Sequence, residues 1–368
     1  MQPTPIPPPR HSSGRITLSP VREVSDSSNR NVRGFNTSKI LSSESNFRYE
    51  FADKVGMAQL GDVERAHVVD DDPHFGNDSI KRYRRREPSE IYVIKSYLVT
   101  DADSSSQEKP LNEIAILQAI QNHPNIIQFY ESIKSTDKDN IERIHFVMDF
   151  CNLGDLFVYL GLDGASRRPS LFPFSLDRLR YLMRQIVEGV AHLHANGIAH
   201  RDLSLENVLV HSPSGRGDDD VVLRIIDLAM AIRVPIDERT RDFAYIDYRG
   251  RACGKPAYMA PEVFEACIND NRPHLVQPMA ADVWSLGVIL FCLATNGRGF
   301  LPQIRNGDAI RVDYGPLRRL GFQNYLFSIG VNYLPSAVYN LLLIMLQLSP
   351  DRRVPVRDIL GHPFFTQA

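Results

Sequence analysis

The feature that most constrains this chain is a polar loop at residues 200–207, with the sequence HRDLSLEN, between two apolar segments. Residues 187–198 before it carry apolar side chains at helical spacing, and Val208–Val210 after it predicts a short buried strand. A polar loop held between buried elements can direct an acid and an amide, Asp202 and Asn207, into one cleft. The acid would accept a proton and the amide oxygen would hold a metal ion. This combination suits phosphoryl transfer.

Composition limits the class of protein. With 368 residues and 43% hydrophobic side chains, the chain has material for one large or two medium domains with a real core. The formal net charge of -2 gives no global electrostatic case for binding nucleic acid, so we expect no nucleic-acid partner. No apolar run reaches the length that crosses a bilayer, which predicts a protein without a membrane span.

The cysteines indicate the redox environment. They lie far apart and form no CxxC pair, so the sequence predicts neither a zinc site nor a disulfide framework; they are Cys151, Cys253, Cys267 and Cys292. This pattern is typical of a reducing compartment, and the N-terminus lacks the apolar core of a signal peptide. We therefore expect a cytoplasmic protein, and we expect it to be a monomer.

Three regions differ in composition. Residues 1–44 are rich in Pro, Ser and Asn and have almost no aromatic side chains, which predicts a disordered tail. Residues 45–150 show strand patterns and residues 151–368 are mostly helical, so we place a lobe boundary between them. Residues 67–90 form a charged, exposed insertion in the first lobe. Its basic run, Lys81–Arg86, is either a nuclear-import element or a solvated loop.

A glycine-bearing hairpin is predicted at the start of the first lobe. Val55–Val63 reads as a strand, a turn and a second strand, with glycines at Gly56 and Gly61. Because glycine has no side chain, backbone amides in such a turn can approach phosphate groups. Two glycines alone are a weak signal, and a plain hairpin is the alternative.

A lysine and a glutamate follow on two neighbouring elements. Ile91–Lys95 predicts a β-branched strand that ends in a lysine facing the cleft, and Glu113 opens an amphipathic helix that ends near His123. A lysine on a strand and a glutamate on a packed helix can form an ion pair that aims the ammonium at a phosphate. A strand-end charge without function is the alternative for Lys95.

A second carboxylate follows the polar loop. The apolar run Val222–Ile226 predicts a strand that delivers Asp227 to the same region. Asp202, Asn207 and Asp227 together form a constellation for a base and a magnesium ion.

The ordered set of motifs resembles the eukaryotic protein kinase family over residues 49–366. The resemblance implies an α+β, two-lobed fold with a small, mainly antiparallel N-lobe containing one main helix and a larger, mainly helical C-lobe. It also implies transfer of the ATP γ-phosphate to serine or threonine hydroxyls of protein substrates, with Mg²⁺ required. The implied active-site residues are the phosphate-binding Lys95, its partner Glu113, the base Asp202, and the magnesium ligands Asn207 and Asp227.

The same resemblance assigns a nucleotide pocket. The segment over the phosphates would comprise Val55, Gly56, Ala58 and Gly61. The adenine ring would lie between Val63, Val93 and Leu209, next to the gatekeeper Met148, the hinge residues Asp149–Cys151 and the ribose contact Asp155. Glu262, which closes the activation segment, is expected to pair with Arg353.

Two departures from the family pattern affect the nucleotide side. Ala58 stands in place of the middle glycine of the phosphate loop, so we expect weaker ATP affinity. Asp227-Leu228-Ala229 replaces the usual Asp-Phe-Gly. Leu228 can still pack with Leu117, Phe129 and His200, whereas Ala229 restricts the backbone, which predicts a more limited switch between active and inactive states.

The third departure concerns the catalytic loop. The family lysine two residues after the catalytic aspartate is Ser204 here, and the hydroxyl residue usual in the later Gly-Thr-Pro segment is Lys255. We hypothesise that Lys255 brings its ammonium to Asp202 and the transferred phosphate, with Ser204 as its hydroxyl partner. In the alternative, Lys255 points to solvent and phosphate stabilisation is impaired.

The activation segment leaves its control open. Arg201 before the catalytic aspartate often signals activation by phosphorylation in this family, but the usual acceptor position holds Arg251. Nearby candidates are Thr240, Tyr245 and Tyr248, and Asp247 could supply a constitutive charge. The competing class of function is a pseudokinase that binds nucleotide or partners without catalysis, suggested by Ala58, Ala229 and Ser204.

Overall fold

The computed structural model describes residues 40–42, 48–58, 61–69, 91–99, 104–120, 123–136, 140–164, 173–215, 220–236, 243–248, 254–268, 273–306 and 309–366. Several sequence predictions lie outside these residues. They are the tail up to residue 39, the basic run Lys81–Arg86, Thr240, Arg251 and Cys253.

The N-lobe is built on one antiparallel sheet of six strands in the order β1-β2-β3-β4-β6-β5. The strands are β1 (Ile40–Ser42), β2 (Arg48–Ala58), β3 (Gly61–Val69), β4 (Ile91–Val99), β5 (Phe129–Thr136) and β6 (Glu142–Asp149). One helix, α1 (Ser104–Ala119), packs on this sheet through the buried residues Ile114, Ile116 and Leu117. The predicted small lobe with one main helix is confirmed.

Three boundaries differ from the sequence prediction. Ile40–Ser42, assigned to the tail, pairs with β2 because Leu41 finds a buried position there. Strand β3 continues to Val69, so the insertion predicted from residue 67 starts after it. Helix α1 begins at Ser104, well before Glu113, because its first turns are polar and show no apolar period from which a start could be read.

The C-lobe is mainly helical, as expected. Its helices are α2 (Leu156–Tyr159), α3 (Leu176–Ala195), α4 (Pro261–Ile268), α5 (Pro278–Ala294), α6 (Gly315–Ser328), α7 (Ser336–Met345), α8 (Val356–Ile359) and α9 (Pro363–Thr366). Short antiparallel pairs join β7 (Ile198–Ala199) to β10 (Ile232–Arg233), β8 (Val208–His211) to β9 (Val222–Ile225), β11 (Ile246–Asp247) to β12 (Leu275–Val276), and β13 (Gln303–Asn306) to β14 (Ala309–Val312).

Helix α5 forms the centre of the C-lobe core. It is apolar nearly all round, and fifteen of its residues, including Trp284, are buried. A helix with this composition is stable only inside a protein. Within the part of the chain that the structure describes, no helix is both long and apolar enough to cross a bilayer.

Candidate active site

The polar loop between β7 and β8 is fixed to the central helix by one aspartate. The side chain of Asp282 on α5 accepts hydrogen bonds from the backbone amides of His200, at 2.7 Å, and Arg201, at 2.8 Å. Its Oδ2 also lies 2.9 Å from Nε2 of His194 on α3. Arg201 has a φ of 70°, a left-handed conformation that is unfavourable for a residue with a side chain. The contacts of Asp282 offset that cost and set the direction of the loop.

Asp202 and Asn207, which the sequence predicted to point into one cleft, are hydrogen-bonded to each other within this loop. The Asn207 side-chain nitrogen donates to Asp202 Oδ2 at 2.9 Å and to the Asp202 carbonyl at 2.6 Å. Because the amide nitrogen is used in this way, the Asn207 side-chain oxygen is the atom left for a cation. The Asn207 carbonyl accepts from the Ile226 amide at 3.0 Å, which brings Asn207 next to the segment that carries Asp227.

Lys95, Glu113 and Asp227 form a compact charged cluster. The Lys95 ammonium lies 3.2 and 3.3 Å from the two Glu113 oxygens and 3.3 Å from Asp227 Oδ1. Burial alone would lower the pKa of Lys95, but the charges of Glu113 and Asp227 outweigh it and raise that pKa. Burial alone would raise the pKa of Asp227, but the Lys95 and His200 charges outweigh it and lower that pKa. The lysine is therefore a cation and Asp227 an anion at neutral pH.

The residue after Asp227 packs into the core of the N-lobe. Asp227 has a left-handed φ of 63°, and Leu228 is fully buried in one cluster with Leu117 and Phe129. His200 is also buried, and its Nε2 lies 2.9 Å from the Ile226 carbonyl. Leu228 thus packs with Leu117 and Phe129, as expected for a leucine in place of the family phenylalanine.

Lys255 reaches the catalytic loop. Its ammonium donates to Ser204 Oγ at 2.8 Å and lies 3.9 Å from Asp202 Oδ2, while its backbone amide donates to Asp202 Oδ1 at 3.0 Å. Gly254 makes this approach possible, because it has a φ of +95° and a Cβ there would lie 2.7 Å from the Arg201 carbonyl. The geometry hypothesised from the exchanged lysine and hydroxyl is present, and Lys255 does not point to solvent.

The residues expected around a nucleotide lie along neighbouring strands. The strand register pairs Gly56 with Val63, Ala58 with Gly61, and Val93 with Met148. Leu209 is partly buried against the N-lobe cluster that contains Met148 and Cys151. Burial raises the pKa of the Cys151 thiol to about 12, so this hinge cysteine is not a reactive thiolate at neutral pH.

Two acids near this pocket already have protein partners. Asp149 accepts from the Tyr130 hydroxyl and forms an ion pair with Arg224. Asp155 caps α2 by accepting from the Val158 amide at 2.9 Å, and burial together with the nearby Glu206 raises its pKa. If Asp155 also contacts the ribose, its carboxylate binds the ribose and the first turn of α2 at the same time.

The activation segment holds Tyr248 inside the protein. Tyr248 is 2% exposed, its hydroxyl accepts from Arg201 Nε at 2.8 Å, and the Arg201 guanidinium carbon lies 4.6 Å from the centre of its ring. Arg201 also donates to the Met230 carbonyl at 3.2 Å. Tyr248 is one of the candidate phosphate acceptors, and in this structure its side chain is buried. Tyr245 is exposed, and its hydroxyl donates a hydrogen bond to the Asp351 carboxylate.

Glu262 and Arg353 form a buried bidentate pair. Their two nitrogen to oxygen distances are 2.5 and 2.7 Å, and Arg353 also donates to the carbonyls of Ala280 and Gln347. The expected pairing is therefore present. It ties the start of α4 to the C-terminal part of the lobe.

Sequence reasoning missed Tyr97. The Tyr97 hydroxyl donates to Glu113 Oε2 at 2.5 Å, so Tyr97 binds the same carboxylate as Lys95. The signal was available, because residues two apart on a strand share one face and Tyr97 follows Lys95 by two. A tyrosine on a buried strand is usually read as core packing, which hides a polar role.

Comparisons with known proteins agree with this geometry. A family model described as a protein kinase domain matches residues 76–365. A probable myosin light chain kinase of Dictyostelium discoideum is 30% identical over 264 residues, covering 70% of this chain and 68% of that protein. The human phosphorylase b kinase gamma catalytic chain, liver/testis isoform, is 30% identical over 293 residues, covering 78% and 63%. The maternal embryonic leucine zipper kinase of Xenopus tropicalis is 30% identical over 272 residues, covering 73% and 34%. The aligned part is thus from about a third to about two thirds of the length of these relatives.

Proposed function

The chain belongs to the protein kinase family, and from that premise we propose that it transfers the γ-phosphate of ATP to serine or threonine hydroxyls of protein substrates. The observation that carries the proposal is the set of contacts that joins five polar side chains across the two lobes. Asp202 is bonded to Asn207, Asn207 is bonded through its carbonyl to the Ile226 amide beside Asp227, and Asp227 and Glu113 both contact Lys95.

Each of these side chains suits one task in phosphoryl transfer. Asp202 would orient the attacking hydroxyl and accept its proton, and Lys95, held by Glu113, would bind the α- and β-phosphates. The β2 and β3 hairpin, with Gly56 and Gly61, would cover the phosphate groups with backbone amides. These roles follow from the chemistry of the groups and from the family pattern together.

Asn207 and Asp227 would hold Mg²⁺. An amide oxygen and an ionised carboxylate are ligands that Mg²⁺ accepts, and the lowered pKa of Asp227 keeps that carboxylate ionised. No cluster of three or more His, Cys, Asp or Glu side chains that could hold a metal forms among the described residues. Mg²⁺ in nucleotide sites usually takes one or two protein ligands and completes its shell with water and phosphate oxygens. When bound, Mg²⁺ supplies positive charge that neutralises those oxygens.

Lys255 would stand in for the missing catalytic-loop lysine. A cation 3.9 Å from the catalytic carboxylate can stabilise the charge of the transferred phosphate. Its bond to the fully buried Ser204 fixes the ammonium at that place. We therefore assign Lys255 a catalytic role and Ser204 a positioning role.

The test is phosphate transfer from γ-labelled ATP with Mg²⁺ to a set of serine and threonine peptides. We expect labelled peptide with the wild-type chain and a loss of at least about a hundredfold in Asp202→Ala, because a positioned base contributes that much. Nucleotide binding measured in parallel should be retained by both proteins. Binding without transfer by the wild type would contradict the proposal and favour the pseudokinase, for which no contact in the described site gives support.

A further inference from the structure

Tyr97 and Lys95 contact the same glutamate from one strand. Both side chains leave β4 on the face toward α1, and Tyr97 and Glu113 are each 2% exposed. The Tyr97 ring packs against Phe146, with ring centres 4.9 Å apart, and the Lys95 ammonium lies 4.9 Å from the centre of the Tyr97 ring. The tyrosine therefore contacts both members of the ion pair.

The bonds on Glu113 differ in length. The Lys95 ammonium lies 3.2 to 3.3 Å from three oxygens, two of Glu113 and one of Asp227, which is longer than the roughly 2.7–2.9 Å of a strong charged hydrogen bond. The Tyr97 hydroxyl lies 2.5 Å from Glu113 Oε2, within the range of about 2.5–2.7 Å for a hydroxyl on a carboxylate. The lysine is shared between two acids, whereas the tyrosine is directed at one.

We propose that Tyr97 is a positioning residue for Lys95. Its hydroxyl fixes the orientation of the Glu113 carboxylate and ties α1 to β4, so that the carboxylate is in place for the lysine before nucleotide binds. The inference rests on the proposed function, in which Lys95 binds the nucleotide phosphates.

The hydroxyl also protects the site when the lysine changes partners. An ammonium that turns toward phosphate gives up part of its contact with Glu113, and a buried carboxylate without partners is costly. Tyr97 supplies a bond that does not depend on the lysine. Burial and the Glu113 charge raise the pKa of Tyr97 above its usual value, so the hydroxyl keeps its proton and remains a donor.

The test is a double-mutant cycle between Tyr97→Phe and Glu113→Gln in the full chain. Phenylalanine keeps the ring and removes only the hydroxyl. We expect Tyr97→Phe to lower kcat/KM for ATP by about tenfold, the scale of one hydrogen bond to a charged group. In the Glu113→Gln background the same substitution should change kcat/KM by about threefold or less, because the amide oxygen that replaces the carboxylate accepts only a weaker, neutral hydrogen bond.

Tyr92→Phe is the matched control. Tyr92 is a second buried tyrosine of β4. Its ring packs against the rings of Tyr49 and Tyr130 on the face of the sheet opposite to Glu113. The Tyr92→Phe substitution should leave kcat/KM for ATP unchanged. Equal losses from Tyr97→Phe in both backgrounds would overturn the proposal, because they would mean that Tyr97 acts through packing alone. No loss in the wild-type background would also overturn it.

Two further measurements keep the result interpretable. Thermal unfolding of each variant shows whether it folds. If Tyr97→Phe does not fold, Tyr97→Met takes its place in the cycle, because methionine is apolar and adapts to irregular space. If the wild type transfers no phosphate, the proposed function fails by itself. The same cycle is then measured on the Kd for Mg-ATP, where the same pattern of coupled losses is expected and additive or absent losses overturn the role of Tyr97.

Discussion

The Lys255 ammonium lies 2.8 Å from Ser204 and 3.9 Å from Asp202, so a cation reaches the Asp202 carboxylate from a later segment of the chain and not from the loop that carries Asp202. Its position depends on Gly254, whose left-handed backbone allows the segment to pass the Arg201 carbonyl. Although Ser204 and Lys255 have exchanged the cation and the hydroxyl of the family pattern, an ammonium and a hydroxyl still lie together beside Asp202.

Substitution of Lys255 should reduce turnover. We expect Lys255→Ala to lower kcat by about 10- to 100-fold, because it removes a charge that stabilises the transferred phosphate, while KM for ATP changes little. Steady-state kinetics at saturating Mg-ATP measure this. Lys134→Ala, at an exposed position on β5, is the matched control and should leave kcat unchanged.

A reciprocal exchange sharpens this prediction. Ser204→Lys together with Lys255→Thr restores the arrangement usual in the family, and we expect it to recover much of the kcat that Lys255→Ala loses. If Lys255→Ala turns over at the wild-type rate, the catalytic role assigned to Lys255 is wrong.

The sequence singled out the charged and amide side chains of the site, and the structure brings them together. Lys95, Glu113, Asp202, Asn207 and Asp227 are polar residues at positions where a core would otherwise be apolar, and each one stands out for that reason. Tyr97 did not stand out, because its ring satisfies the core and only coordinates reveal what the hydroxyl contacts. The partner of Arg201 could not be predicted either, since it depends on a segment that folds back from far along the chain.

The activation segment is held by contacts that the sequence did not predict. Arg201 connects the Met230 carbonyl, just after Asp227, to the buried hydroxyl of Tyr248. The neighbouring strand β11 pairs with β12, and the Tyr248 amide donates to the His274 carbonyl at 2.9 Å. These contacts order residues 246–248 and give Arg201 a neutral partner, where the sequence left open a phosphate or the constitutive charge of Asp247.

The Arg201 contact predicts activity without phosphorylation of Tyr248. We expect phosphatase-treated protein to retain its activity and Tyr248→Phe to lower kcat by about threefold or more, because one hydrogen bond to a guanidinium is lost. Initial-rate assays on both samples measure this. Tyr245→Phe removes an exposed hydroxyl of the same segment and should have no effect. A phosphatase-treated wild type without activity would refute this view.

Elements with a clear apolar period were predicted well, and those without one were not. Strands β4, β8 and β9 contain apolar runs and lie where Ile91–Lys95, Val208–Val210 and Val222–Ile226 predicted them, although β4 extends to Val99. The first turns of α1 contain mainly serine and charged side chains, and β1 has only three residues, so neither gives a pattern of its own. Strand β1 is stabilised by its pairing with β2, and α1 by the packing of its later residues Ile116 and Leu117 in the N-lobe core; neither contact shows as a local sequence pattern.

The whole molecule depends on a few buried charged contacts between distant segments. Asp282 supports the catalytic loop from the central helix, and Arg353 joins α4, α5 and the C-terminal segment through Glu262, Ala280 and Gln347. The α+β fold with two lobes, expected from the resemblance, is confirmed. The cytoplasmic location and the monomeric state stay predictions.

Breaking the Glu262 and Arg353 pair should destabilise the C-lobe. We expect Arg353→Met to lower the free energy of unfolding by about 3–5 kcal/mol, the usual cost when one partner of a buried ion pair is removed. Denaturant unfolding measures it. Arg357→Ala, at a side chain that is 74% exposed, should change the free energy of unfolding by less than about 0.5 kcal/mol. Equal effects of the two variants would contradict a structural role for the pair.

The central claim is that this chain is a working kinase whose catalytic base is Asp202. The most direct measurement is the identity of the labelled amino acid after incubation of a serine, threonine and tyrosine peptide mixture with Mg²⁺ and γ-labelled ATP. We expect phosphoserine or phosphothreonine with the wild type and neither with Asp202→Ala. Wild-type protein that binds Mg-ATP and leaves every peptide unlabelled would contradict it.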